Sequence, residues 1–158
     1  MKGLYYDDED IQASSIGYAI IDSGTSLFYI GQSDYVMLMR KLLAKAPELN
    51  CEDSEYCFSD QHTCDYFTDK LAPITVRLAN NHYTIQPEGY MFSGNGRQSK
   101  MCTVAISYMS DTQGLFILGD TFMRNFVTTF DNDSEEIRLA VNINAPAGTK
   151  IEWKISGW

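Results

Sequence analysis

The stretch Ile20-Ile21-Asp22-Ser23-Gly24-Thr25-Ser26 constrains this chain more than any other, because an apolar run ends directly in a carboxylate on a glycine turn. Ala19, Ile20 and Ile21 read as a buried strand, which delivers Asp22 to the rim of a hydrophobic core. A charge there is costly unless it is hydrogen-bonded. Gly24 lets the backbone take a conformation that a side chain would hinder, and Ser23, Thr25 and Ser26 supply hydroxyls around the carboxyl. Burying an acid and surrounding it with protein donors is how a catalytic carboxylate is tuned. Taken alone, Asp-Ser-Gly is equally the sequence of a plain turn.

The chain is 158 residues long, the size of one domain, and large enough to bury most of the surface of its unfolded form. It is 44% hydrophobic and 13% aromatic, and its Tyr, Phe, Val, Ile and Thr favour strands. The net charge of −9 argues against nucleic acid or an anionic membrane as a partner and suits a protein that works in acid. No stretch is long enough to span a membrane. Four cysteines with no CxxC pair point to disulfides rather than zinc, and four allow three connectivities. Asn132-Asp133-Ser134 is an N-glycosylation acceptor in a polar, turn-like stretch. Together these features suggest an oxidising, secretory compartment. The first residues lack the apolar run of a signal peptide, so the start of a longer parent protein is expected to lie outside this sequence.

Along the chain, Leu4-Tyr5-Tyr6 is a short apolar segment and Asp7–Asp10 reads as a solvated acidic loop. A strand is expected at 16–22 and another apolar run at Leu27–Ile30. Ser33 reads as the N-cap of a helix over 34–46, with Val36, Met39, Leu42, Leu43 and Ala46 on its apolar face and Pro47 as its stop. Residues 47–70 read as a polar loop holding Cys51, Cys57 and Cys64. Strands are expected at Ile74–Leu78 and Tyr83–Ile85 around an Asn80-Asn81 turn. After a loop around Ser93–Gly96, more follow at Cys102–Tyr108, Leu115–Leu118, Phe126–Phe130 and Ile137–Val141. Ile151–Ile155 alternates as an extra edge strand would. His62 and His82 read as solvated surface residues.

A second motif, Phe116-Ile117-Leu118-Gly119-Asp120-Thr121-Phe122-Met123-Arg124, takes an apolar strand through a glycine into a short helical turn. Glycine permits a close backbone approach there, and Asp120 can cap the N–H groups of the turn. The two motifs in this order, with a helix and cysteine-bounded strands between them, resemble the C-terminal lobe of pepsin-like aspartic proteases. The resemblance covers about residues 17–140 and leaves 141–158 as a tail. Asp120-Thr121-Phe122-Met123-Arg124 carries the Asp-x-Phe-x-Arg pattern that marks that lobe. The fold implied is mainly β, a six-stranded, barrel-like domain with one or two short helices, over a single domain 1–158.

The resemblance also implies roles. Asp22 matches one of two catalytic aspartates. Ser23 matches the residue that locks the two catalytic loops together, Thr25 the donor to the aspartate's outer oxygen, and Gly24 a backbone contact to substrate. Thr25 and Ser26 fall on the substrate side of the same loop. Leu118 and Gly119 match the pair packed behind that loop. Ile20 and Ile117 would face the pockets on the leaving-group side of the scissile bond, so an apolar residue is expected after that bond. A Cys64–Cys102 disulfide around the central hairpin is implied, and with it a local Cys51–Cys57 pair. No cofactor and no metal are implied.

Such an enzyme needs a second aspartate, and this sequence has no second Asp-Thr/Ser-Gly. The partners expected are therefore a peptide or protein substrate and an N-terminal lobe outside this chain. A second copy supplying its own Asp22 is the rival enzyme reading, and a non-catalytic binding module is the alternative outside enzymes. The family places such proteins in a lysosome, a vacuole or a secreted fluid.

Overall fold

The structure is a computed structural model that describes residues 3–11, 17–51, 55–94, 100–110 and 114–153. The apolar start of the chain is not peripheral. Strand β1 (Gly3–Tyr6) buries Leu4 and Tyr6 almost completely. A left-handed turn at Asp7 and Asp8 leads into β2 (Glu9–Asp10). The expected acidic loop is thus a tight hairpin, and its charges are used: Asp7 pairs with Lys45 at 2.5 Å and Glu9 with Lys41 at 2.6 Å.

Strand β3 (Tyr18–Ile21) leads into the first motif's Asp22 turn, and β4 (Phe28–Gly31) follows that turn. Helix α1 (Gln32–Lys45) begins one residue earlier than expected. Gly31 is its N-cap, without a side-chain capping bond, so Ser33 lies inside the first turn. Its buried face runs through Tyr35, Leu38, Met39 and Leu42, and Val36 is exposed. The polar stretch after it holds β5 (Phe58–Ser59) and a short helix, α2 (Cys64–Thr68), that sequence pattern does not reveal. Glu48 joins this region together by accepting from Lys70 and from the Tyr66 hydroxyl, which hold its carboxyl down to about 2. Disulfides link Cys51 to Cys57 and Cys64 to Cys102.

Strands β6 (Ile74–Leu78) and β7 (Asn81–Ile85) form a hairpin whose turn is Ala79-Asn80, with Ala79 left-handed. His82 is buried rather than solvated, because β7 lies inside a sheet, and its ring packs 5.4 Å from that of Tyr5. His62 stacks on Tyr66. Helix α3 (Pro87–Tyr90) leads into β8 (Met91–Ser93). The loop expected at Ser93–Gly96 lies partly outside the described residues. The run expected at 102–108 is broken at Ala105 into β9 (Cys102–Val104) and β10 (Ile106–Met109), which join different sheets. The break is held by Ala105, whose N–H donates to the Tyr90 carbonyl while its own carbonyl accepts from Phe28.

The second motif forms β11 (Leu115–Leu118) and helix α4 (Asp120–Met123). Strands β12 (Phe126–Asp131) and β13 (Glu136–Val141) pair as a two-stranded ribbon, and β14 (Lys150–Trp153) adds itself to β7. The extra edge strand expected in the tail is therefore present over its described part.

Three further sheets accompany the ribbon. The antiparallel order β14-β7-β6-β1-β2 forms one, β5-β9-β8 another, and β10-β4-β11-β3 a mixed third in which β3 runs parallel to β11. The chain is mostly β, and among the described residues no barrel closes. The core gathers Leu4, Phe28, Ile30, Leu38, Phe116, Leu118 and Phe122, all essentially inaccessible. The ribbon is open by contrast, with Val127, Phe130, Ile137 and Val141 exposed.

The Cys64–Cys102 bridge closes 38 residues and Cys51–Cys57 closes 6. Replacing both cysteines of the first pair by Ala should cost about 4 kcal/mol, against about 2 kcal/mol for the second, from the loop entropy each removes from the unfolded chain. Urea unfolding of the two double variants checks the order.

Candidate active site

The site is assembled on the mixed sheet. In β3 alternate side chains face opposite ways: Ala19 and Ile21 pack on the core, and Tyr18 and Ile20 face solvent. The parallel register sets Ile20 beside Ile117 and Tyr18 beside Leu115. The ladder continues one step past the strand, since the Asp22 N–H donates to the Leu118 carbonyl at 3.1 Å. That bond fixes where the carboxylate begins.

The loop then folds around the carboxylate. Gly24 N–H donates to Asp22 Oδ1 at 2.9 Å, and Thr25 Oγ1 donates to Oδ2 at 2.5 Å. Both bonds favour the charged form, the Thr25 hydroxyl most, so the Asp22 carboxyl is held below its ordinary value of 3.8. A Cβ on Gly24 would stand 3.2 Å from Asp22 Oδ1, tight against the acceptor it serves. Asp22 and Thr25 are half-buried, while Ser23, Gly24 and Ser26 are exposed. The carboxylate is thus hydrogen-bonded from its own loop and open to solvent on the other side.

Behind the loop stands the corner between β11 and α4. Leu118 is buried in the core. A Cβ on Gly119 would come within 2.2 Å of the Thr25 carbonyl oxygen and 2.4 Å of that of Leu27, which are backbone atoms that cannot swing aside. Only glycine fits. The following amides use the approach: Asp120 N–H donates to the Thr25 carbonyl at 2.7 Å, and Thr121 N–H to that of Ser26 at 3.1 Å. The buried Thr121 hydroxyl lies 3.0 Å from the carbonyls of both Ser26 and Ala105. Thr121 is the supporting residue that sequence reasoning did not single out. Its only signal was a hydroxyl placed directly after Gly-Asp.

The remaining site residues fall as follows. Ile117 is half-buried and Ile20 about half exposed, on one face of the sheet. Asn132 is exposed at the tip of the β12–β13 ribbon. A groove of about 710 Å3 lies elsewhere, lined by Asp65, Glu88, Phe92, Arg124 and Pro146. It is lined by no residue of the Asp22 loop, and in its wall the Arg124 guanidinium lies 4.7 Å from the centre of the Phe92 ring.

The site is thus a hydrogen-bonded carboxylate at the end of a strand, buttressed by a glycine corner from a parallel neighbour. The chain belongs to the eukaryotic aspartyl protease family, whose sequence profile matches residues 1–142. It is 32% identical to plasmepsin IV of Plasmodium falciparum (isolate 3D7) over 127 residues, 80% of this chain and 26% of that protein. It is 28% identical to renin-2 of Mus musculus over 144 residues, covering 89% of this chain and 34% of the relative. With cathepsin D of Bos taurus it shares 28% identity over 125 residues, 77% and 30% of the two chains. The chain therefore spans about a quarter to a third of the relatives it matches.

Gly119→Ala forces backbone carbonyls apart and should destabilise the chain by about 3 kcal/mol or more. Thr121→Val removes a buried hydroxyl and should cost about 1–3 kcal/mol. Thermal or urea unfolding gives both values, and the larger loss belongs to Gly119→Ala.

Proposed function

We propose that this chain is the C-terminal lobe of an aspartic-type endopeptidase and contributes Asp22 as one of its two catalytic aspartates. The observation that carries the reading is the Asp22 loop itself, with its carboxylate bonded by Gly24 and Thr25 and its backbone clamped by Gly119–Thr121.

In such enzymes two carboxylates stand about 3 Å apart, cannot both ionise, and share one proton. The ionised partner takes a proton from a water held between them. That water attacks the peptide carbonyl, while the protonated partner donates to the carbonyl oxygen. Asp22 is one carboxylate of such a pair, and its own hydrogen bonds from Thr25 and Gly24 favour its ionised form. The half-dyad is therefore incomplete without an N-terminal lobe. Exposed Ser23 is placed to meet the opposing loop. The open ribbon, with Phe130, Ile137 and Val141 uncovered on one face, is apolar surface of the kind such a partner would bury.

In this reading Gly24, Thr25 and Ser26 contact substrate, and Ile20 and Ile117, which neighbour each other across β3 and β11, stand against the residue after the scissile bond. The two disulfides fit an oxidising compartment, and a lysosome, vacuole or secreted fluid suits an acid endopeptidase. No helix among the described residues is long and apolar enough to cross a membrane.

Peptide hydrolysis at about pH 4, where a shared-proton pair is poised, tests the reading. The chain alone should be inactive. Joined to an N-terminal lobe it should cleave, and Asp22→Asn should lower kcat/KM by at least about a thousandfold. Activity of the chain alone that rises with the square of its concentration would instead assign a homodimer of two Asp22 loops. Silence even with the partner lobe would leave a binding module. Separately, expression through a secretory pathway should place a glycan on Asn132, seen as a mass shift that glycosidase removes and Asn132→Gln lacks.

A further inference from the structure

The family profile matches residues 1–142, and the chain that follows returns to the support of the Asp22 loop. It leaves β13 at Asn142, which binds the backbone just past the end of α4 twice. The Asn142 N–H donates to the Asn125 carbonyl and its Nδ2 to the Arg124 carbonyl, both at 3.0 Å. Its Oδ1 in turn accepts from the Asn144 N–H at 3.0 Å. Two turns follow, one closed by the Ala145 N–H on the Asn142 carbonyl and one by the Thr149 N–H on that of Pro146. The Gln86 side chain fastens the second by donating to the Gly148 carbonyl at 2.9 Å. The chain then enters β14.

The two faces of β14 differ. Lys150 and Glu152 stand opposite Thr84 and His82 on β7, and Ile151 stands opposite Tyr83. Directly opposed residues share a face of the sheet and lie within contact, and Ile151 is half-buried against the core. Beyond it, the Tyr83 ring lies 5.9 Å from that of Phe122 and 5.4 Å from that of Phe126, and those two rings are 4.9 Å apart. Phe122 belongs to α4 and is fully buried. The tail thus reaches this helix by hydrogen bonds at its C-terminal end and by packed rings along its side. The N-terminal end of the same helix carries the Asp120 and Thr121 amides that hold the carbonyls of Thr25 and Ser26. A helix of four residues is not stable by itself, so the contacts around it decide where it sits.

We propose that residues 142–151 form a strap that seats α4, and that Asn142 and Ile151 are positioning residues for Asp22, acting through the helix and its grip on the loop. The strap rests on the protease reading for its use in catalysis and extends it to a segment beyond the family profile.

The test uses the full chain carrying Asn142→Ala, Ile151→Ser, Ile151→Val or Trp153→Ser. Trp153 shares the Ile151 face of β14 but is 73% exposed, so its variant controls for general damage to the strand. Hydrogen exchange of the Asp120 and Thr121 amides reports the seat, and the titration midpoint of the Asp22 carboxyl reports the loop. Asn142→Ala and Ile151→Ser should speed that exchange and move the midpoint up towards 3.8. Ile151→Val and Trp153→Ser should leave both as in the wild type. A merely structural role would lower the urea midpoints of Asn142→Ala and Ile151→Ser and leave the Asp22 titration where it was, which overturns the strap. An equal shift in Trp153→Ser overturns it too. Either of the two disruptive variants decides the question where the other fails to fold. In the assembled protease both should lower kcat by about tenfold with KM little changed. A moved midpoint without Asp22-dependent cleavage in the wild-type assembly keeps the strap and overturns the protease reading, so the two failures are told apart.

Discussion

The approach of Gly119 to the carbonyls of Thr25 and Leu27 is the contact on which the site depends. A hydrogen in place of a side chain allows two backbone segments, separated by more than ninety residues in sequence, to lie within bonding distance. The amides of Asp120 and Thr121 then satisfy the carbonyls of Thr25 and Ser26. Loops whose carbonyls are left unpaired in a packed region are costly, and this corner removes that cost while fixing the loop's path. With the path fixed, the Thr25 hydroxyl and the Gly24 amide reach the two oxygens of Asp22. Packing at the back of the loop thus sets the charge at its front.

That charge is what the proposal of a half-dyad rests on. Both hydrogen bonds to Asp22, from Thr25 and Gly24, favour the carboxylate. A carboxylate prepared in this way is suited to be the ionised member of a pair, or to share a proton once a like charge is brought beside it. Packing supports the proposal of a partner lobe as well. Among the described residues, strands β12 and β13 pair only with each other and leave apolar side chains on view, whereas the mixed sheet and the five-stranded sheet contribute to a dense core.

Much of this was legible in sequence where the signal is local. The apolar run into Asp22, the glycine turn, and the Leu-Gly-Asp corner are short patterns whose chemistry can be read directly. Helix α1 was legible too, although its true buried face includes Tyr35 and Leu38, and its start at Gln32 lacks a side-chain cap that could mark it. Non-local facts were not legible. Nothing in the pattern of residues 102–108 shows that Ala105 breaks the run, because the break is imposed by bonds to Tyr90 and Phe28 from other elements. The burial of His82 follows from β7 being flanked by β6 and β14, and β14 lies in a tail far along the chain. Short helices such as α2 and α3 carry too few residues to show a period. Thr121 escaped notice because its partners, Ser26 and Ala105, are contiguous with it only in space.

The most direct test of this account is a site-resolved carbon NMR titration of the Asp22 carboxyl in the chain, in Thr25→Val and in Gly119→Ala. The account predicts a midpoint below 3.8 in the native chain and a return towards that value when the Thr25 hydroxyl is removed or the corner is displaced. The sign follows for stability. A depressed carboxyl contributes above its unfolded value, and that contribution is lost as pH falls through the folded midpoint, so Thr25→Val should be the less stable at neutral pH and lose that deficit in strong acid. An Asp22 midpoint at or above the ordinary value, or one that neither substitution moves, would contradict the claim that the loop and its glycine corner set the charge of the site.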